Sequence, residues 1–260
     1  MFALMISLMT SAVPAEGSRW SWTLDDTRAV KLTPAKSGIS ATGPNTFVKS
    51  QFELTVLAVG EHGPNKLKLV MKKGPPLLID SEWEIESSYG ELLARKAKAS
   101  STKTLAQMYA GAPDPSLNEW NGAFTAAARM VMPDPVIVAA GKGEPCSEQT
   151  RTAVAEATAV MMQRVYSVNG ATSSTDDTTL TSAATCGPGA NTWTVKFKLD
   201  INRISNTISL QCQGTVKAPA EARFATYNLT CSGDSPLNVM NKALRFKWSS
   251  SLKSSVTPLK

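Results

Sequence analysis

Residues 52–69, with the sequence FELTVLAVGEHGPNKLKL, determine the fold class that we expect for this chain. Apolar and polar residues alternate in Phe52–Leu57 and again in Lys66–Leu69, and the turn-forming cluster Glu61–Asn65 separates the two runs. Alternating runs on either side of Gly, Pro and Asn predict an antiparallel β-hairpin. The lysines of the second run fall on the face opposite the leucines, where they would meet solvent.

Similar alternation occurs before this hairpin and near the other end of the chain. Further strands are predicted over Trp20–Leu24, Trp193–Leu199, Ile204–Val216, Phe224–Cys231 and Leu244–Trp248. In the second of these runs, Trp193, Val195, Phe197 and Leu199 would point inward. The Ser/Lys-rich end from Ser249 onward is expected to fray.

The segment of about 89–166 is richer in Ala and predicts helices. A capping box at Ser116–Glu119 opens an apolar stripe that Pro133 ends, and a second helix is predicted from Ser147 to about Val165. The following residues, about 167–190, are polar and predict a surface loop tethered by Cys186.

These patterns together predict an α+β fold. An antiparallel sheet would be built from the N- and C-terminal strand groups, and the helical segment would pack on one of its faces. The chain has 260 residues, 42% of them hydrophobic, which is enough for one domain over 16–260. Two domains divided near Gly141 are the alternative.

The N-terminus has features of an export signal. An apolar run of residues 1–9 is followed by Val13-Pro14-Ala15, which fits the small-residue rule for cleavage after Ala15, so residues 1–15 are interpreted as a signal peptide. No Lys or Arg precedes the apolar run, and an ordinary N-terminal strand or helix is the alternative. No later segment approaches a membrane-spanning length, so we expect none in the mature chain.

Four cysteines suit an oxidising compartment and predict two disulfides. Cys212 and Cys231 lie on consecutive predicted strands, with a turn-forming stretch around residue 221 midway between them. Opposed positions in a hairpin are symmetric about its turn, so these two cysteines would pair, which leaves Cys146 for Cys186. Four free thiols in a cytosolic protein are the alternative.

The layout of antiparallel strands with helices inserted between strand groups resembles half-barrel envelope carriers, which hold a lipid between sheet and helices. The resemblance concerns the arrangement alone and assigns no residue a role. We expect an apolar cleft between the two layers, lined by Trp120, Phe124, Met161, Trp193 and Phe197.

Most catalytic and metal chemistry is disfavoured by composition. The chain has a single histidine, His62, which excludes catalytic sites that need several imidazoles. This histidine lies in the predicted hairpin turn. We therefore expect no cofactor, no metal and no enzymatic activity. One alternative is a serine hydrolase or acyl-transferase, since Ser100–Lys103 matches the S-x-x-K pattern.

The excess of basic residues gives a formal net charge of +6. Lys66, Lys68, Lys72 and Lys73 predict a basic patch, so a surface-adhesion protein that binds anionic polymer is the other alternative. Nucleic acid is not an expected partner of an exported chain. The favoured hypothesis is an exported, non-catalytic protein with a binding or structural role in the cell envelope or outside the cell, whose partner is an apolar ligand or an envelope component. The sequence leaves the oligomeric state open.

Overall fold

A computed structural model describes residues 13–34, 41–42, 46–74, 79–88, 91–98, 128–132, 134–166, 177–203, 206–218, 224–239 and 242–259. The N-terminal strands are β1 (Arg19–Pro34), β2 (Ala41–Thr42), β3 (Thr46–Gly60), β4 (Gly63–Lys73), β5 (Glu82–Ser88) and β6 (Glu91–Lys98). Within the described residues that follow, there are two helices, α1 (Pro135–Lys142) and α2 (Glu148–Tyr166). The C-terminal strands are β7 (Asp177–Cys186), β8 (Thr192–Arg203), β9 (Asn206–Lys217), β10 (Thr226–Val239) and β11 (Lys242–Pro258).

All of these strands belong to one antiparallel sheet, in the order β6-β5-β4-β3-β1-β11-β10-β9-β8-β7, with β2 paired to β1. The first and last strands are neighbours, with Trp20 opposite Pro258 and Pro34 opposite Leu244. The pairing of β1 with β11 joins the two strand groups. The predicted antiparallel sheet is therefore confirmed, and strands from both sides of Gly141 share it.

The hairpin predicted from residues 52–69 is present as β3 and β4. Leu54, Val56, Leu67 and Leu69 are fully buried on one face, as the alternation requires. His62 is exposed at the turn.

Directly opposed residues in neighbouring strands point to the same face of a sheet. The register therefore places Trp22, Phe52, Leu69, Trp83 and Trp193 on one face, which we call the inner face. Their side chains are at most 3% exposed and belong to one contiguous apolar cluster. The opposite face, which we call the outer face, carries the charged residues of β4 and β5.

Three stretches differ from the sequence-based expectation. Glu91–Lys98, placed in the helical segment because of its Ala and Leu content, is strand β6, since it pairs along β5. Asp177–Cys186, expected to be part of a polar loop, is strand β7, because its Thr and Ser residues pair with β8. The end from Ser249, expected to fray, is paired with β10 as far as Ser254 and with β1 as far as Pro258, and Leu252 is buried.

The helix predicted from Ser147 is confirmed as α2. Ser147 Oγ accepts a hydrogen bond from the Thr150 backbone N–H and so caps its first turn. The shorter helix α1 begins after Asp134, whose carboxylate accepts from the Val136 and Ile137 backbone N–H groups. The predicted helix that follows Ser116 lies outside the described residues, apart from the short buried stretch 128–132.

Candidate functional site: the inner face of the sheet

An aromatic row crosses the N-terminal half of the inner face. The rings of Trp22 and Phe52 are stacked with their centroids 4.7 Å apart, and Phe52 meets Trp83 edge-on at 6.1 Å. The Trp22 indole N–H donates to Ser254 Oγ at 2.9 Å, which satisfies its polar atom inside the core. Strands β1, β3 and β5 therefore contribute aromatic rings to one broad apolar surface. The ring contacts and this hydrogen bond fix the orientation of the rings.

Three of the five residues predicted to line a cleft lie in the same contiguous cluster. Trp193 and Phe197 are on the inner face of β8, and Met161 is on the buried side of α2. Trp120 and Phe124 fall outside the described residues.

The helices are fastened to the sheet at one end. Cys146, just before α2, is bonded to Cys186 at the end of β7. The Trp193 indole N–H donates to the Pro145 carbonyl at 2.7 Å, and the Asn191 amide donates to the Gly141 carbonyl at 2.9 Å. A covalent bond and two side-chain hydrogen bonds thus fix the junction between α1 and α2.

Gly141 allows this close approach. A Cβ atom at this position would lie 2.7 Å from the Ala218 carbonyl oxygen, which is closer than real Cβ atoms come. The backbone of α1 therefore lies directly against the end of β9. From the same junction, α2 extends along β7 and β8.

The second disulfide joins two strands on the inner face. Cys212 of β9 is directly opposite Cys231 of β10, and the two are bonded. Both disulfides have the pairing predicted from the sequence.

Tyr227 lies close enough to Asp134, the residue before α1, to sense its charge. Its side chain is buried on β10, and burial together with the nearby Asp134 carboxylate raises the pKa of its hydroxyl. The phenol is therefore neutral at physiological pH and belongs to the packed interior.

The predicted basic patch contains ion pairs with β5 and with the turn before it. Lys66 Nζ lies 3.7 Å from Glu86 Oε2, and Lys68 Nζ lies 2.8 Å from Glu82 Oε2. Lys72 Nζ is 3.8 Å from Asp80 Oδ1, and Lys73 is exposed. Carboxylates thus offset much of the positive charge on this part of the outer face.

A cavity of about 710 Å³ is open to solvent near the other end of the sheet. One three-residue stretch from each of four strands lines it, namely Thr181–Ala183, Lys196–Lys198, Gln211–Gln213 and Thr230–Ser232. The exposed residues of these stretches belong to the outer face, and most of them are polar. Phe197 is among the lining residues, whereas Met161 and Trp193 are not.

The structure does not test the residues considered for catalysis. Ser100 and Lys103 lie outside the described residues. Within the residues that are described, no group of three His, Cys, Asp or Glu side chains is placed to hold a metal ion.

Sequence reasoning missed the aromatic row. The alternation in Trp20–Leu24 and in Phe52–Leu57 does predict that Trp22 and Phe52 share a face, but it does not show that β1 and β3 are neighbours. Trp83 was not singled out at all, although Glu82–Ile85 alternates charged and apolar residues. That alternation was the signal that could have found it.

No protein-family model matches this chain, and no curated protein sequence matches it. Among solved structures, the chain is similar to one titled "Lipid-protein interactions in lipovitellin", with a TM-score of 0.41 and 8% sequence identity. The match covers 95% of this chain and 26% of that one, so this chain spans about a quarter of its length.

Neither helix in the described part of the chain has the length and apolar character needed to cross a membrane. The two disulfides are typical of proteins that fold in an oxidising environment outside the cytosol.

Proposed function

We propose that this chain is an exported, non-catalytic binding protein that holds an apolar ligand between the inner face of its sheet and its helical segment. The observation that carries the proposal is the contiguous apolar cluster, which extends from Trp83 on β5 to Phe197 on β8 and includes Met161 of α2. An inner face of this breadth, with α2 lying along its β7 and β8 end, is a suitable place for a lipid chain.

Methionines make the cluster adaptable. Met130, Met132, Met161 and Met162 are buried in it from the helical side, and Met71 is buried in it from β4. Methionine side chains are unbranched and flexible, so they can rearrange around an entering chain at lower cost than branched residues.

The fastening of the helices suits a hinged cover. Cys146–Cys186 and the two hydrogen bonds from β8 and the preceding turn all act at the junction between α1 and α2. The far end of α2 can then move away from the sheet while the junction stays in place, which would admit a ligand without unfolding the sheet.

Export to the periplasm or the extracellular space is part of the same proposal. The apolar leader, the small-residue site ending at Ala15 and the two disulfides support it. N-terminal sequencing of the secreted protein should begin near Glu16, and an intact Met1 would contradict this part.

The test is binding of the apolar fluorophore N-phenylnaphthylamine to the oxidised protein at low and at high salt. Saturable binding that changes little with salt is the expected result, because transfer of an apolar probe into an apolar site is not electrostatic. The matched control replaces Lys66, Lys68, Lys72 and Lys73 with Gln on the outer face, and binding should be unaffected. Absence of saturable binding would show that the proposal is wrong.

A further inference from the structure

A cavity opens on the outer face of the C-terminal strands. Its volume is about 710 Å³, and three consecutive residues from each of four strands line it. Three of the middle residues, Phe197, Cys212 and Cys231, are at most 5% exposed and belong to the inner face. The residues on either side of each middle residue are all exposed. Their side chains therefore line the cavity, on the side of the sheet away from the apolar cluster.

The register arranges these exposed residues in two rows across β7, β8, β9 and β10. One row is Thr181, Lys198, Gln211 and Ser232, and the other is Ala183, Lys196, Gln213 and Thr230. Neighbours within a row are about 5 Å apart and the rows are about 7 Å apart, because these are the strand spacing and the two-residue repeat of a sheet. Every side chain in the two rows except Ala183 can form hydrogen bonds.

The side chains of this surface both donate and accept hydrogen bonds. The amides of Gln211 and Gln213 have donor and acceptor atoms, and so do the hydroxyls of Thr181 and Ser232. Thr230 Oγ donates to the Gln213 backbone carbonyl at 3.3 Å, which leaves its lone pairs to accept from a ligand. Sugar rings also carry closely spaced hydroxyl groups that donate and accept, so they match this surface.

Lys196 adds a positive charge to the cavity. The outer-face residues next to it, on its own strand and on both neighbouring strands, are neutral or basic. They are Thr181, Ala183, Thr185, Thr194, Lys198, Gln211, Gln213 and Thr215. Lys198, in contrast, lies 2.7 Å from Asp200, and Lys68 on β4 lies 2.8 Å from Glu82. Lys196 is therefore placed to attract an anionic group into the cavity.

We propose that this cavity binds a segment of an acidic polysaccharide. A uronate carboxylate accepts a hydrogen bond from Lys196 Nζ, while sugar hydroxyls bind the amides of Gln211 and Gln213. This inference goes beyond the proposed function, because it adds a second site on the opposite face of the sheet from the apolar ligand. Each site can be occupied without the other.

The same surface fits a nucleic acid poorly. Single-stranded nucleic acids bind in positively charged grooves and stack their bases on aromatic side chains. None of the exposed residues that line the cavity is aromatic, and the charge of Lys198 is offset by Asp200. A hydroxyl-rich chain with carboxylate groups is the better match.

The test is an NMR titration of the oxidised protein with trigalacturonate and with its fully methyl-esterified form. The side-chain amide signals of Gln211 and Gln213 should shift on binding, and binding of trigalacturonate should weaken as salt is added. Lys196→Gln should weaken trigalacturonate about tenfold, as the loss of one charge-assisted hydrogen bond would give, and leave the neutral ester unchanged. Gln211→Ala/Gln213→Ala should weaken both compounds.

The matched control is Lys68→Gln, which makes the same change of charge at a lysine that is paired with Glu82 elsewhere on the outer face. Its affinity for trigalacturonate should equal that of the wild type. Binding of N-phenylnaphthylamine should be the same in Lys196→Gln as in the wild type, because that probe is expected on the inner face. Failure of the fluorophore to bind would therefore count against the proposed function and leave this inference standing.

Three results would overturn the inference. One is the absence of shifts at Gln211 and Gln213, and another is an equal loss of affinity in Lys196→Gln and Lys68→Gln, which would indicate attraction to the net charge alone. The third is tighter binding of a thymidine tetranucleotide, which carries about the same charge as trigalacturonate, since that would identify a nucleic-acid surface.

Discussion

Trp22 shows how one polar atom is accommodated inside the apolar interior. The indole ring stacks on Phe52, and its N–H reaches Ser254 of β11 at 2.9 Å. A larger residue at position 254 would occupy space next to the ring, and an apolar residue there would leave the N–H without an acceptor. Serine is small enough and polar enough for both requirements.

The first prediction follows from this contact. Ser254→Ala should lower the free energy of unfolding by about 1–3 kcal/mol, because a buried indole N–H loses its acceptor. Chemical denaturation of the oxidised protein measures this. Ser249→Ala, at an exposed position of the same strand, should change stability by less than about 0.5 kcal/mol. Equal effects of the two substitutions would show that the hydrogen bond contributes nothing.

Among the strands, β11 differs most from what its amino-acid composition predicts. Serines and lysines suggested a frayed end, yet the strand lies between β1 and β10 in the middle of the sheet. Its alternation is present, with Ser250, Leu252 and Ser254 buried and Lys253 exposed. Small serines at inner positions do not register as hydrophobic, so the pattern did not predict a central strand.

The second prediction tests the position of β11. Leu252→Asp should leave most of the protein unfolded, because an unpaired carboxylate would be buried at the centre of the sheet. Lys253→Asp changes the adjacent residue, which faces solvent, and should lower the free energy of unfolding far less. Circular dichroism and denaturant titration of the two variants compare them directly. A folded, stable Leu252→Asp protein would contradict the central placement of β11.

The third prediction concerns a pair of neighbouring strands. Asp200 of β8 is partly buried, which raises its pKa, but hydrogen bonds from Lys198 and from Ser209 of β9 outweigh this and leave the pKa lowered from 3.8. A carboxyl group whose pKa is lower in the folded than in the unfolded protein stabilises the folded state at pH values above the pKa that the group has in the unfolded chain. That contribution is lost as the pH falls through the folded-state pKa.

Asp200→Asn should therefore reduce stability near neutral pH by up to about 1 kcal/mol, since the pair is partly exposed. The difference from wild type should disappear once the pH is below the folded-state pKa of Asp200. Denaturant unfolding over a series of pH values measures it. A difference that stays constant down to strongly acidic pH would contradict the assignment.

Much of the sheet was predictable at the element scale, whereas the neighbours of each strand were not. Hairpins that close within a few residues, such as β3 with β4, are specified by local alternation and turn residues. The pairing of β1 with β11 joins positions more than two hundred residues apart, and no local pattern encodes it. Strands β6 and β7 were missed because Ala, Thr and Ser are compatible with helix or loop until a neighbouring strand provides partners.

At the scale of the whole molecule, the two disulfides connect different kinds of element. Cys212–Cys231 joins strands that are already neighbours and closes a sequence separation of 19 residues, whereas Cys146–Cys186 fastens the start of α2 to strand β7 across a separation of 40. The sequence predicted both pairs because hairpin symmetry identified the first and left one partner for the second. The sequence identified Met161, Trp193 and Phe197, which lie in the apolar cluster, but it did not identify the aromatic row.

The fourth prediction distinguishes the contributions of the two disulfides to stability. Cys146→Ser/Cys186→Ser should lower the free energy of unfolding by about 4 kcal/mol, and Cys212→Ser/Cys231→Ser by about 3 kcal/mol, from the loop lengths that each bond closes. Hydrogen exchange should increase in α2 for the first variant and around β9 and β10 for the second. Unchanged exchange in α2 without Cys146–Cys186 would show that this bond does not fasten the helix.

The central claim, that the inner face holds an apolar ligand, is tested most directly by tryptophan quenching with a methyl acyl ester brominated in mid-chain. Bromine quenches an indole only at short range, so a chain lying along the inner face should quench a saturable fraction of the fluorescence. That fraction should fall clearly in a Trp22→Phe/Trp83→Phe variant, and the unbrominated ester should cause no quenching. Quenching that rises linearly without saturation, or a quenched fraction unchanged by the double substitution, would contradict the claim.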